Sequence, residues 1–86
     1  MSENKYLFIH DPGHGWLVVP EAELKKLNIA DKISGFSYRN AGKAYLEEDS
    51  DFGVFAKAKE AAGETFKLEE VYQENTPIRN YPRFGA

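Results

Sequence analysis

The chain contains no cysteine, and that absence removes several chemistries at once. A disulfide framework, a thiolate nucleophile and a cysteine-ligated zinc or iron–sulfur centre are all excluded, and a reduced, cytoplasmic setting is expected. Long apolar runs are missing as well. The longest, Trp16-Leu17-Val18-Val19, falls far short of the roughly 20 residues that cross a bilayer, so no membrane association is expected. The opening Met1-Ser2-Glu3-Asn4-Lys5 has neither the basic region nor the apolar stretch of a secretory signal. No glycine-rich loop follows a strand and opens a helix, which leaves a nucleotide-binding reading without a basis.

What is present is 86 residues, 42% of them hydrophobic, 29% charged and 14% aromatic. That length suits one domain with one core. Charge is not evenly spread. Residues 1–46 and 52–86 are each close to neutral, and Glu47, Glu48, Asp49 and Asp51 supply the excess behind the net charge of −3. A near-neutral body with one acidic spot lacks the continuous basic face of a generic nucleic-acid binder.

Alternation over 5–10 places Tyr6, Phe8 and His10 on one side and Leu7 and Ile9 on the other, the period of a strand. Asp11-Pro12-Gly13-His14 is a turn sequence, Gly15 offers a bulge, and 16–19 reads as the return strand. Pro20 suits the first turn of a short helix carrying Leu24 and Leu27, which Asn28 ends in a left-handed conformation. A second hairpin is expected over 33–38 and 43–48, turning at Asn40-Ala41-Gly42 and pairing Tyr38 with Tyr45. Asp49 or Ser50 should cap a longer helix over 51–62 that Gly63 stops, with only the stem of Lys59 buried. Residues 65–72 form a fifth strand, with a bulge expected at Glu69-Glu70. Two prolines within 76–86 make that stretch an extended C-terminal arm. The order β-β-α-β-β-α-β gives a single α+β domain over 1–86, an antiparallel sheet with helices packed on one face.

Three places carry chemistry. His10, Asp11 and His14 at the hairpin tip, beside Trp16, hold two imidazoles and a carboxylate. They would ligate a metal only with acids from elsewhere; otherwise they build and decorate the turn, the rings stacking on Trp16 and Tyr6. Glu47, Glu48 and Asp51, with Asp49 and Ser50, cap a helix and meet its positive end, or else present charge to a partner, hold a divalent cation or form a general acid/base pair. Arg79, Tyr81 and Arg83, with Phe84, interleave guanidinium groups and rings, a combination that anchors protein partners or stacks bases. Alternatively, Ile78, Tyr81 and Phe84 tuck the arm against the sheet while the arginines pair with the acidic run.

The stretches His10-Asp11-Pro12-Gly13-His14-Gly15-Trp16-Leu17, Ile29-Ala30-Asp31-Lys32-Ile33-Ser34 with Phe36-Ser37-Tyr38, Tyr45-Leu46-Glu47-Glu48-Asp49-Ser50-Asp51 and Ile78-Arg79-Asn80-Tyr81 cover a little under half the chain. In that order they resemble a group of small uncharacterised proteins of phages, plasmids and bacterial genomes. The resemblance implies a bacterial or viral cytoplasmic setting and an accessory role, by analogy the binding of host machinery such as a defence system. It implies no catalytic residue.

Together these readings lead first to a non-catalytic protein that binds a macromolecular partner, a host protein before others, through His10, Asp11, His14, Trp16, Glu47, Glu48, Asp51, Arg79, Tyr81 and Arg83. No cofactor is expected. Two alternatives stand beside it: a metal-dependent hydrolase joining His10 and His14 to the carboxylates of 47–51, and a single-strand nucleic-acid binder using the arm. A homodimer is a further arrangement open to so small a chain.

Overall fold

A computed structural model of the chain describes residues 5–84; residues 1–4, with the segment read for a secretory signal, and Gly85 and Ala86 at the end of the arm lie outside the described residues. The alternating segments form the expected first hairpin, β1 (Lys5–His10) and β2 (Gly15–Pro20), with Phe8 opposite Leu17 and Ile9 opposite Trp16. The short helix α1 (Glu21–Lys26) starts one residue after Pro20, which ends β2, and Asn28 does adopt positive φ, at 64°. A single 3-10 turn (Ala30–Lys32) leads to β3 (Tyr38–Asn40), β4 (Lys43–Glu47), α2 (Asp51–Ala61) and β5 (Lys67–Tyr72). The five strands stand in the order β3-β4-β2-β1-β5. Among the described residues, no helix is long and apolar enough to cross a membrane.

The sheet is mixed, which corrects the antiparallel expectation. β5 runs parallel to β1, from Lys5 beside Lys67 to His10 beside Tyr72. β4 is antiparallel to β2, and β2 to β1, so β4 and β5 point the same way. The chain between them contains α2, the kind of crossover that parallel strands require. The β1–β5 register is unbroken, so the bulge expected at Glu69-Glu70 is not made. Nor is there one at Gly15, which pairs with His10. Glycine is needed there for a different reason: a Cβ would sit 2.5 Å from Cζ of Phe8.

Both helices cover one face. Tyr6, Leu17, Val19, Ala44 and Leu46 alternate onto it and pack with Leu24 of α1 and Phe55 of α2. Deep in this layer lies a correction at Lys59, whose whole side chain is 1% exposed. Its ammonium is paired with Glu23 at 2.9 Å and Glu64 at 2.6 Å, and it lies over the Tyr6 and Phe55 rings. The Tyr6 hydroxyl donates to the same Glu23 carboxylate at 2.7 Å. Burial would lower the Lys59 ammonium, yet its bonds to Glu64 and Glu23 outweigh that and raise it. Burial, followed by the bond to Glu23, pushes the Tyr6 phenol up to about 12.

β3 is shorter than the strand expected from residue 33, because the N-terminal end of α2 captures the approach to it. Asp51 accepts from the Ser34 backbone N–H at 3.1 Å, from the Ser34 hydroxyl at 2.8 Å and from the Ser37 hydroxyl. Ser37 Oγ in turn accepts from the Glu47 N–H at 3.0 Å. Ladder pairing therefore begins only at Tyr38, which does face Tyr45 across the hairpin. The expected cap on α2 is absent: Ser50 occupies the position without a side-chain bond. The Asn40–Gly42 turn forms through positive φ at Ala41 and Gly42, and Gly63 at φ 72° follows the end of α2.

The arm crosses the opposite face of the sheet. It is not extended throughout, since Thr76 caps a 3-10 turn (Pro77–Asn80) in which Pro77 takes the first position. Tyr81 packs on Tyr45 with ring centroids 5.1 Å apart. The next residues then run beside the outer edge of β3, where the Arg39 N–H donates to Pro82 O and the Phe84 N–H to Ser37 O. Ile78 and Phe84 are buried.

Candidate functional site

The hairpin tip is built by Asp11. Its Oδ1 accepts from the backbone N–H groups of Gly13 at 2.9 Å and His14 at 2.8 Å, while its own N–H donates to His14 O. The same carboxylate receives Arg79 from the arm through Nε at 3.2 Å and Nη2 at 3.0 Å. Burial would push the Asp11 carboxyl up, but the His14 and Gly13 N–H groups, then Arg79, hold it below the usual carboxylate range. One residue thus closes the turn and docks the arm. The arginines do not pair with the acidic run, as they would in the tucked-arm reading; Arg79 goes to the hairpin tip and Arg83 to a backbone carbonyl.

The strand period separates the two histidines. Ile9 and Trp16 lie side by side on the arm face, whereas Phe8 and His10 lie on the helix face. His10 stacks on Phe8, touches the Tyr72 ring and lies 3.8 Å from Glu70. His14 stands 6.1 Å from the Trp16 ring, between centroids, with Nδ1 3.5 Å from Glu47 Oε2. Their expected stacking on Tyr6 is not made. Among the described residues, no group of three or more His, Asp or Glu side chains could hold a metal ion. A site shared by both histidines and the carboxylates of 47–51, as the hydrolase alternative needs, is not assembled.

Instead, a cleft of about 380 Å³ opens on the arm face, lined by His14 and Trp16 of the first hairpin, Phe36 and Tyr38, Glu47, Asp49 and Ser50 before α2, and Arg79 and Arg83 of the arm. Each sequence region singled out for its chemistry contributes to it. Arg79 lies 5.3 Å over the Trp16 ring and Arg83 5.8 Å over Tyr38, so each guanidinium rests on an aromatic shelf. Arg83 also donates from Nη1 to Gly35 O at 3.1 Å. Glu47 is buried, and its carboxylate accepts the Asp49 N–H at 2.9 Å. Phe36 projects at 65% exposure, and Trp16, only 2% exposed, keeps its Nε1 without a partner among the described residues.

Of the residues selected from sequence, His14, Trp16, Glu47, Arg79 and Arg83 come together here, with Asp11 directly behind Arg79. His10 is on the other face, as is Glu48, which borders a second depression with Phe8, Phe52, Leu68 and Glu70. Asp51 is a buried anchor for Ser34 and Ser37, and Tyr81 supports Tyr45. Asp49 and Ser50 of the acidic run also line the cleft, and Phe36 and Tyr38 join it from a region that the sequence does not mark as a site. An aromatic residue set between Gly35 and Ser37 in a polar connector was the available signal for Phe36. No family model matches the chain, and neither a curated protein nor a solved structure matches it.

Proposed function

We propose that this chain is a non-catalytic binding protein whose cleft on the arm face receives a segment of a protein partner. The observation that carries the reading is the gathering of Trp16, Tyr38, an outward Phe36 and two ring-supported arginines in one open depression. Tryptophan, tyrosine and arginine are the side chains that dominate protein interfaces, and a contact of about 800 Å² per partner is within reach of so small a domain.

Two features favour a protein over a nucleic acid. The charged side chains lining the cleft, Arg79, Arg83, Glu47 and Asp49, carry both signs, and Arg79 is already committed to Asp11. A polyanion calls for a continuous basic track. A binding role over a catalytic one draws support from His14, which faces a carboxylate and receives no hydroxyl hydrogen bond among the described residues. The resemblance to phage and mobile-element proteins adds a host protein as the class of partner.

A photo-crosslinking residue placed at Phe36, and separately at Lys57 on the exposed side of α2, tests this in bacterial cells. One dominant protein adduct from position 36, lost when Arg83→Gln is added and absent from position 57, is expected. Equal adducts from both positions, or an adduct indifferent to Arg83→Gln, would refute it.

A further inference from the structure

The cleft's donors are more numerous than the protein's own acceptors for them. Arg79 spends Nε and Nη2 on Asp11, but Arg83 gives one hydrogen bond, to a neutral carbonyl, and has no carboxylate partner among the described residues. A guanidinium has five N–H donors, so most of those on Arg83 remain available. Trp16 lines the same cleft, buried but for 2% of its surface, so its indole reports on what enters there. Glu47, by contrast, is already met by the Asp49 N–H and by His14, whereas Asp49 is left as an exposed carboxylate in the same cleft.

We infer that the cleft anchors a single oxyanion, a carboxylate or phosphate monoester, carried on an aromatic group of the partner. Arg83 supplies the charge and the donors, Trp16 forms part of the wall, and Phe36 packs against the ring. The Tyr38 shelf and the bond to Gly35 hold the Arg83 guanidinium in place before the ligand arrives, which lowers the ordering cost of binding. Asp49 sets the limit on charge. One anion is balanced by Arg83, but each further negative group in the cleft is opposed by the Asp49 carboxylate that shares its lining. An aromatic oxyanion side chain meets these conditions and a run of phosphates does not. The inference rests on the protein-docking reading, because it takes the anion to be part of a partner's side chain.

The chain has one tryptophan, so its emission and its indole N–H resonance both report from the cleft. Intact protein is titrated with phenyl phosphate, with 3-phenylpropionate and with the uncharged 3-phenylpropanol. Both anions should shift the indole N–H saturably, and the alcohol should bind roughly tenfold more weakly, the worth of one charge-assisted hydrogen bond. Arg83→Gln should weaken both anions by a similar factor, Phe36→Ser should weaken them less, and Lys57→Gln should leave them unchanged. Equal binding of the alcohol, saturation without movement of the indole resonance, or an Arg83→Gln protein that binds like the parent would overturn the inference. So would an oligothymidylate that binds more tightly than phenyl phosphate and depends on Arg83. A retained adduct at position 36 with no anion binding would defeat this inference alone. Anion binding with no adduct would defeat the docking reading and leave the anion site standing.

Discussion

The two faces of the sheet treat positive charge in opposite ways. On the helix side, Lys59 is sealed: Glu23 and Glu64 pair with it, Tyr6 and Phe55 enclose it, and the Tyr6 hydroxyl completes the Glu23 carboxylate. On the arm side Arg79 is paired with Asp11, but Arg83 rests on the Tyr38 ring with donors to spare and has no carboxylate partner among the described residues. A fully matched buried cation fixes structure, since removing either partner leaves the other charge uncompensated. Preorganised but unmatched donors instead hold affinity in reserve for something outside the chain.

The sharpest way to break this contrast is Lys59→Met. It strands Glu23 in a largely buried setting while Glu64 remains in solvent, and should cost roughly 3 kcal/mol, the low end for a broken buried pair. A urea series on that variant should show a lower midpoint with the aryl-anion response of Trp16 retained in the protein that remains folded. The alkaline limb belongs to the same cluster. Because the Tyr6 phenol is raised in the folded state, its contribution is present below the ordinary tyrosine value and is lost as pH climbs through about 12. Tyr6→Phe should flatten that limb in a stability profile.

Asp51→Ala comes next, at roughly 2 kcal/mol, because the Ser34 N–H and the Ser37 hydroxyl lose a buried acceptor. It should affect stability and binding together, since Phe36 lies between the two serines that Asp51 holds. Thermal unfolding and the anion titration, read side by side, check it.

Arg79→Gln sits between the two faces in character, and about 1 kcal/mol is expected for a pair in which Asp11 is buried and Arg79 half exposed. The Asp11 carboxyl is lowered in the folded state, so its contribution is full above the ordinary carboxylate value and fades as pH falls through the lowered one. Arg79→Gln should move that acid limb to higher pH. Asp11→Asn should remove its pH dependence, at the cost of weaker acceptance from Gly13 and His14.

The smallest effect on stability is expected at Phe36→Ser, within about 0.5 kcal/mol for an exposed side chain, together with loss of the partner adduct. A variant that unfolded easily would place Phe36 in the core instead.

Local signals were legible and long-range ones were not. The first hairpin, the Asn28 and Gly63 stops and the Tyr38–Tyr45 pairing follow from turn chemistry and period within a few residues. Lys59 reads as a surface lysine with a buried stem because its partners are 36 and 5 positions away, and only the fold brings Glu23 to it. The β3 strand reads too long because residues 33–38 have strand-like composition, while Asp51, well downstream, withdraws Ser34 and Ser37 from the ladder. The direction of β5 depends on where α2 delivers the chain, which no periodicity encodes. At the cleft, the chemistry of His14, Trp16, Glu47, Arg79 and Arg83 is visible in the sequence. Their meeting is not, since Asp11 and Arg79 are 68 positions apart.

The most direct test of the division between a closed ionic cluster and an open one measures one quantity in two proteins: the Trp16 emission change on adding phenyl phosphate, along a urea series, for Lys59→Met and for Arg83→Gln. In Lys59→Met the response should be of parental size and disappear at lower urea. In Arg83→Gln it should be largely absent while the unfolding midpoint stays where the parent has it. A parental response in Arg83→Gln, or a midpoint lowered as far as in Lys59→Met, would contradict the account.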